Sequence, residues 1–152
     1  MRGRAYDNSD DLTPLSPAGL AALKREGLTL THILNTHHHG DHTGGNLALK
    51  QAFGAEVVGP AHDAARIPGL DTGVREATGW TFADRPVAVL EVPAHTRGAI
   101  AFVIAGNAFT GDTLFLMGCG RLFEGDAATM FASLAKLAAG VFVIGGPARH
   151  FQ

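Results

Sequence analysis

Apolar positions recur at helical spacing in three stretches of the chain. Ser16 and Pro17 supply a helix cap and a first-turn proline, and Gly27 supplies a stop, so a helix is expected from Pro17 to about Glu26. A second helix is expected over Leu47–Phe53 and a third over Ala127–Ala139. The apolar face of the third helix would be formed by Met130, Phe131, Leu134 and Leu137.

Shorter apolar runs, bounded by turn residues, predict strands. They are expected at residues 29–34, 55–59, 80–82, 87–92, 100–104 and 141–144. Residues 67–79 are interrupted by Pro68 and three glycines and predict a loop. A chain of 152 residues suggests one domain, expected over residues 14–152 after a loose, aspartate-rich lead-in at residues 1–13.

Composition narrows the class of protein. A hydrophobic content of 46% and a charged content of 17% are typical of a soluble globular chain, and a net charge of -2 gives no reason to expect nucleic acid as a partner. The longest apolar-rich run, residues 99–105, is too short to cross a bilayer, and no apolar stretch follows the basic residues 1–4 as in a secretory signal. One cysteine, Cys119, excludes an internal disulfide and favours a reducing cytoplasm.

The most unusual stretch is Thr-His-His-His-Gly-Asp-His-Thr-Gly-Gly-Asn at residues 36–46. His37 and His39 are two residues apart, so in a loop or extended backbone their side chains can converge on one cation. A turn through Gly40 could direct Asp41 and His42 at a second cation, and these ligand types suit zinc, iron or manganese. The alternative is a solvated histidine-rich turn or a tag remnant, although a tag would be terminal and monotonous.

Three segments carry a resemblance to a known family. The run His37–His42 resembles the His-x-His-x-Asp-His signature of the metallo-β-lactamase superfamily. Residues 111–115 and 118–125 are similar to segments of its glyoxalase II branch, the hydroxyacylglutathione hydrolases. The resemblance covers about residues 19–137 and fails at both ends.

The resemblance implies an α/β fold, the metallo-β-lactamase-like αβ/βα sandwich, in which two sheets pack face to face with helices outside. It is expected to be incomplete, because no strands precede residue 29 and no helical domain follows. An exposed sheet edge, with self-association into a homo-oligomer, would be a consequence.

The resemblance also implies a set of ligands. His95 lies in a segment similar to the family's His-Thr-x-Gly motif and would join His37 and His39 around one metal ion. Asp41 and His42 would hold the second ion, and Asp112, whose carboxylate offers two oxygens, would bridge both, although a turn-capping aspartate is the alternative. The cofactors would be two divalent ions, zinc first, with iron or manganese as alternatives. His150 is a weak candidate for the last ligand histidine of the family, and His62 is expected to be a surface or loop-anchoring residue.

The activity implied is hydrolysis of an S-(2-hydroxyacyl)glutathione, such as S-lactoylglutathione, to a 2-hydroxy acid and glutathione. Asp41 and Asp112 would be the catalytic carboxylates, acting through a water activated between the two ions. Arg121 would hold a carboxylate of glutathione, and Phe123 stands where the family often has a substrate-contacting tyrosine. The alternatives are a persulfide dioxygenase with one iron, a lactonase, or a truncated fragment that binds metal without catalysis.

Overall fold

The computed structural model describes residues 17–145, and the side chains of residues 21–139. The expected lead-in at residues 1–13 and the weak ligand candidate His150 lie outside the described residues. The described residues form four α-helices: α1 (Pro17–Arg25), α2 (Gly40–Thr43), α3 (Asn46–Phe53) and α4 (Ala127–Gly145). Short 3₁₀ helices occur at Ala61–Arg66 and Gly111–Thr113. The strands are β1 (His32–Leu34), β2 (Glu56–Pro60), β3 (Thr72–Val74), β4 (Trp80–Phe82), β5 (Arg85–Glu91), β6 (Ile100–Ile104) and β7 (Asn107–Phe109).

The first sheet is parallel and has the strand order β1-β2-β3. Ile33 lies opposite Val57, and Val58 lies opposite Thr72. Parallel neighbours need a crossover, which α2 and α3 provide between β1 and β2. The histidine-rich segment therefore lies at the start of this crossover, directly after β1.

The second sheet is antiparallel and follows the chain in the order β4-β5-β6-β7. Two-residue turns join its outer pairs, with φ of 48° and 63° at Ala83 and Asp84 and of 50° and 81° at Ala105 and Gly106. Positive φ at both turn residues is the geometry that matches the twist of paired strands. Residues 92–99 form the longer connection between β5 and β6, and they carry His95.

The core lies between the two sheets. Val58 and Val74 from the first sheet pack with four buried residues of the second sheet, Val87, Val89, Ile100 and Phe102. On the opposite face of β6, Ala101 packs with Val92, Ala99 and Leu137, a residue of α4. Since side chains alternate across a strand, β6 contacts the other sheet on one face and a helix on the other. This arrangement confirms the αβ/βα sandwich.

Two predictions for the chain after residue 127 were wrong. The helix α4 continues to Gly145, so residues 141–144 are helical instead of forming a strand. Valine and isoleucine favour strands only where a neighbouring strand offers packing and pairing, and no described strand pairs with this segment. Phe131, expected on the buried face, is 75% exposed, whereas Met130 and Leu137 are buried.

Two strands were missed, β3 and β7, and β7 begins at Asn107, where a turn was expected to end. β3 lies within the loop expected at residues 67–79, because a three-residue strand centred on Gly73 gives no apolar run. A Cβ placed on Gly73 would lie 3.0 Å from the Cβ of Ala61, so this glycine permits close packing of the strand against the 3₁₀ helix. Within residues 17–145, no helix has both the length and the apolar character needed to cross a membrane.

Candidate metal centre

Three segments, each following a strand, bring polar side chains to one place in the sandwich. The segment His37–His42 follows β1 of the first sheet, whereas His95 follows β5 and Asp112 follows β7 of the second sheet. Residues up to 75 positions apart in the chain therefore meet where the ends of both sheets converge. The site thus depends on the packing of one sheet on the other.

The first group of ligand atoms is formed by His37, His39 and His95, whose nitrogens all lie within 4.8 Å of one another. Nε2 of His95 is 3.0 Å from Nδ1 of His39. Two nitrogens at zinc-binding distance from one tetrahedral ion stand roughly 3.3 Å apart, so this spacing fits a shared cation.

The second group comprises His37, His42 and Asp112, again within 4.8 Å. Oδ1 of Asp112 lies 3.1 Å from Nε2 of His42, and its Oδ2 lies 3.3 Å from Nε2 of His95. One carboxylate therefore directs one oxygen at each histidine group. That is the arrangement expected of a bridging ligand.

Asp41, the sixth predicted ligand, belongs to neither group. Its Oδ2 lies 3.7 Å from Nε2 of His42, and about half of its side chain is exposed. Asp41 is in the first turn of α2, which directs it toward solvent at the edge of the second group. The structure thus brings five of the six predicted ligands together and leaves Asp41 beside them.

The site favours neutral imidazoles. Burial, followed by repulsion from His42, His95, His39 and His38, lowers the pKa of His37 to about 2. Burial also lowers the pKa of His39, with repulsion from His95 as the next cause. A neutral imidazole is the form that binds a cation. Nε2 of His37 is buried without a hydrogen-bond partner among the described residues, so these residues fit a metal ion that would satisfy it.

A chain of buried amides holds the histidine segment in shape. Nδ2 of Asn46 donates to Oδ1 of Asn35 at 2.8 Å, and Nδ2 of Asn35 donates to the carbonyl of His42 at 3.1 Å. The hydroxyl of Thr43 donates to the carbonyl of His39 at 3.1 Å. Sequence reasoning missed these residues, although an asparagine on each side of the histidine motif was a visible signal.

The backbone of Arg121 orients His95. Nδ1 of His95 lies 2.7 Å from the carbonyl oxygen of Arg121, which can only accept, so Nδ1 carries the proton. Nε2 is left unprotonated and faces the other ligands. The Arg121 side chain, predicted to bind substrate, is exposed beside the site. The sequence indicated a role for its guanidinium but not for its main chain.

Phe123, also predicted to contact substrate, lies directly over the histidines. Its ring centroid is 5.3 Å from those of His39 and His95, with the rings edge to face, and 60% of the residue is exposed. The loop before it exposes further apolar side chains, namely Leu114, Phe115, Leu116, Met117 and Leu122. Cys119, a free thiol in the same loop, is exposed. An apolar surface with one cationic side chain therefore borders the metal-ligating groups.

Comparison with known proteins places these features in a family. The sequence model described as the metallo-beta-lactamase superfamily matches residues 6–143. The chain is 49% identical over 122 residues to the hydroxyacylglutathione hydrolase of Rhizobium meliloti, covering 79% of this chain and 48% of the relative. It is 51% identical over 122 residues to the hydroxyacylglutathione hydrolase of Methylococcus capsulatus, with the same coverage of both chains. The chain thus spans about half the length of the curated relatives it matches.

A solved structure gives the same result for the fold. TTHA1623, solved in a di-iron-bound form, superimposes with a TM-score of 0.69 at 27% identity, covering 88% of this chain and 74% of that one.

Proposed function

Because the chain belongs to the metallo-beta-lactamase superfamily, we propose that it hydrolyses S-(2-hydroxyacyl)glutathione thioesters, such as S-lactoylglutathione, to a 2-hydroxy acid and glutathione. Two curated relatives that are about half identical to it over 122 residues carry the name hydroxyacylglutathione hydrolase. The cytoplasmic location and the self-association inferred from sequence remain predictions.

The position of Asp112 is the observation that carries this proposal. Its carboxylate stands between two histidine groups, with one oxygen 3.3 Å from His95 and the other 3.1 Å from His42. A carboxylate in this position can bind a separate cation with each oxygen. Two cations, one beside each histidine group, would use both oxygens of Asp112.

The cofactors proposed are two divalent ions, with zinc first and iron as the alternative suggested by the di-iron form of TTHA1623. His37, His39 and His95 would hold one ion, and His42 with Asp41 would hold the other, sharing Asp112. When bound, such a pair supplies Lewis acidity and activates water near neutral pH.

The chain's own residues provide binding and orientation. Arg121 carries a planar cation that suits a carboxylate of glutathione. Phe123 covers the imidazoles of His39 and His95, so its ring limits access of bulk water to the thioester carbonyl. The leaving thiolate has a pKa near 8.5 in its free form, and a strong general acid is therefore unnecessary.

The test is hydrolysis of S-D-lactoylglutathione by the purified protein, with metal content measured on the same sample. His39→Ala should abolish turnover and lower the metal content. His32→Gln, a histidine that packs on Trp80 and Phe82 instead of the site, is the matched control and should retain both.

Three other outcomes would contradict the proposed activity. Folded protein with two metal ions and no turnover of any 2-hydroxyacyl thioester would overturn the proposed substrate class. One metal ion without turnover would favour the metal-binding fragment, and one iron with oxygen uptake would favour the dioxygenase.

A further inference from the structure

We infer that Asp63, a buried residue outside both ligand groups, is a positioning residue that fixes His38 and through it the segment carrying His37 and His39. This inference rests on the proposed metal centre, but not on the identity of the substrate. Asp63 lies in the 3₁₀ helix Ala61–Arg66 and is 1% exposed. A carboxylate buried to this extent is costly unless other groups donate to it.

The main donor to Asp63 comes from the metal-binding segment. Nδ1 of His38 donates to Oδ2 of Asp63 at 2.9 Å, and only 9% of the His38 side chain is exposed. Because the carboxylate accepts, Nδ1 of His38 is the protonated nitrogen. His38 stands between two predicted ligands, and a ring fixed at this position restricts the backbone of both neighbours.

The second carboxylate oxygen is held from the other side. Nδ1 of His62 lies 3.1 Å from Oδ1, which confirms the expected loop-anchoring role of this mostly exposed histidine. Nη1 of Arg66 lies 3.6 Å from the same oxygen. Both groups belong to the same 3₁₀ helix as Asp63, so the carboxylate has partners within its own helix as well as in the histidine segment.

The segment that carries His95 packs closely against Asp63. A Cβ placed on Gly98 would lie 2.4 Å from Oδ2 and 2.5 Å from Cγ of Asp63, so only glycine permits this approach. Glu124 adds a second link, because it accepts from Nη2 of Arg66 at 2.7 Å and from the backbone N–H of Arg97 at 2.8 Å. The 3₁₀ helix therefore contacts two of the three ligand-bearing segments, those of His37–His42 and His95, and the loop of Phe123.

A purely structural carboxylate would affect stability alone, whereas a positioning residue also affects metal affinity. Polar partners that orient metal ligands typically change affinity by about 10–100-fold when removed. We expect Asp63→Ala to weaken zinc binding at least about tenfold in competition with a chromophoric chelator. Asp63→Asn, which retains one accepting oxygen for His38, should show a smaller loss.

Asp71→Asn is the matched control. Asp71 accepts a hydrogen bond from the backbone N–H of Val57 at 2.9 Å and pairs with Lys50, and neither of these partners lies in a segment that carries a proposed ligand. Its replacement should leave zinc affinity within about twofold. Unchanged zinc affinity in folded Asp63→Asn and Asp63→Ala would overturn the inference.

The route through His38 is tested by a double-mutant cycle. His38→Ala should weaken zinc binding, and adding Asp63→Ala to it should cause little further loss, since both substitutions remove the same contact. Fully additive losses would overturn the route. Asp63→Asn and His38→Ala keep the test valid if Asp63→Ala does not fold.

Kinetics separate this inference from the proposed function. If the thioester is hydrolysed, Asp63→Asn should lower kcat with little change in KM, because the substrate contacts of Arg121 and Phe123 are untouched. If no thioester is hydrolysed, the chelator competition still decides the inference, and the proposed function fails alone.

Discussion

Gly120, which has no side chain, determines how closely two of the proposed metal ligands approach the loop. Its N–H donates to the carbonyl of Asp112 at 2.7 Å, and the next residue along the chain holds His95. A Cβ at this position would lie 2.5 Å from the carbonyl oxygen of Asp112 and 2.7 Å from Nδ1 of His95. No free space is left between these two ligands and the loop.

We predict that Gly120→Ala will displace His95 or Asp112 and lower the affinity for zinc by about tenfold or more, the size typical of lost ligand support. Chelator competition measures the affinity, and thermal unfolding checks that the variant folds. Gly118→Ala, two residues earlier in the same loop, is the control, because a Cβ there meets nothing within 4 Å. Equal affinities for the two variants would contradict the prediction.

At the scale of elements, α4 is held against the outer face of the second sheet. Leu137 is 2% exposed and packs with Val92, Ala99 and Ala101. The hydroxyl of Ser133, on the same face of the helix, donates to the carbonyl of Pro93 at 2.6 Å. Pro93 lies two residues before His95, so the helix also supports the backbone that delivers this ligand.

Truncation of Leu137 is therefore expected to be costly. Leu137→Ala should lower the free energy of unfolding by about 2–5 kcal/mol, since it removes buried contacts and leaves a cavity. Phe131→Ala, on the exposed face of the same helix, should change it by less than about 0.5 kcal/mol. Urea unfolding of both variants measures the difference, and similar losses would contradict the assigned faces of α4.

The sequence predicted those elements that have a strong local signal. Ser16, Pro17 and Gly27 predicted α1, and a short apolar run predicted the strand before the histidine motif. The structure brings His37, His39 and His42 of that motif close to His95 and Asp112, whose roles as metal ligands remain predictions. The faces of α4 were harder, because Phe131 and Met130 are adjacent apolar residues and only the sheet packing decides which is buried. The contact of His38 with Asp63 spans 25 residues, and nothing local in either segment indicates it.

At the scale of the whole molecule, the proposed metal ligands follow strands of both sheets. His39 follows a strand of the first sheet and His95 follows a strand of the second. A cation held by both would bind the folded chain and not the unfolded one. Such binding stabilises the folded state by about 2.7 kcal/mol when free metal is at 100 times its dissociation constant.

Removal of the metal should therefore lower the Tm. For a chain of this length the shift corresponds to roughly 5–10 °C, measured by thermal unfolding with and without a chelator. The His39→Ala variant is the control and should show a much smaller shift with chelator. A Tm that is independent of chelator in the metal-loaded protein would contradict a cation shared between the sheets.

The sequential order of the antiparallel sheet has a consequence for how the molecule folds. β4, β5, β6 and β7 pair with their neighbours in the chain, and two of the three connections are two-residue turns. Closing short loops costs little entropy, whereas the parallel sheet must first close the longer crossovers around β2. We therefore expect the β4–β7 meander to form early and to fix the position of His95. The histidine segment after β1 is expected to pack against it late in folding.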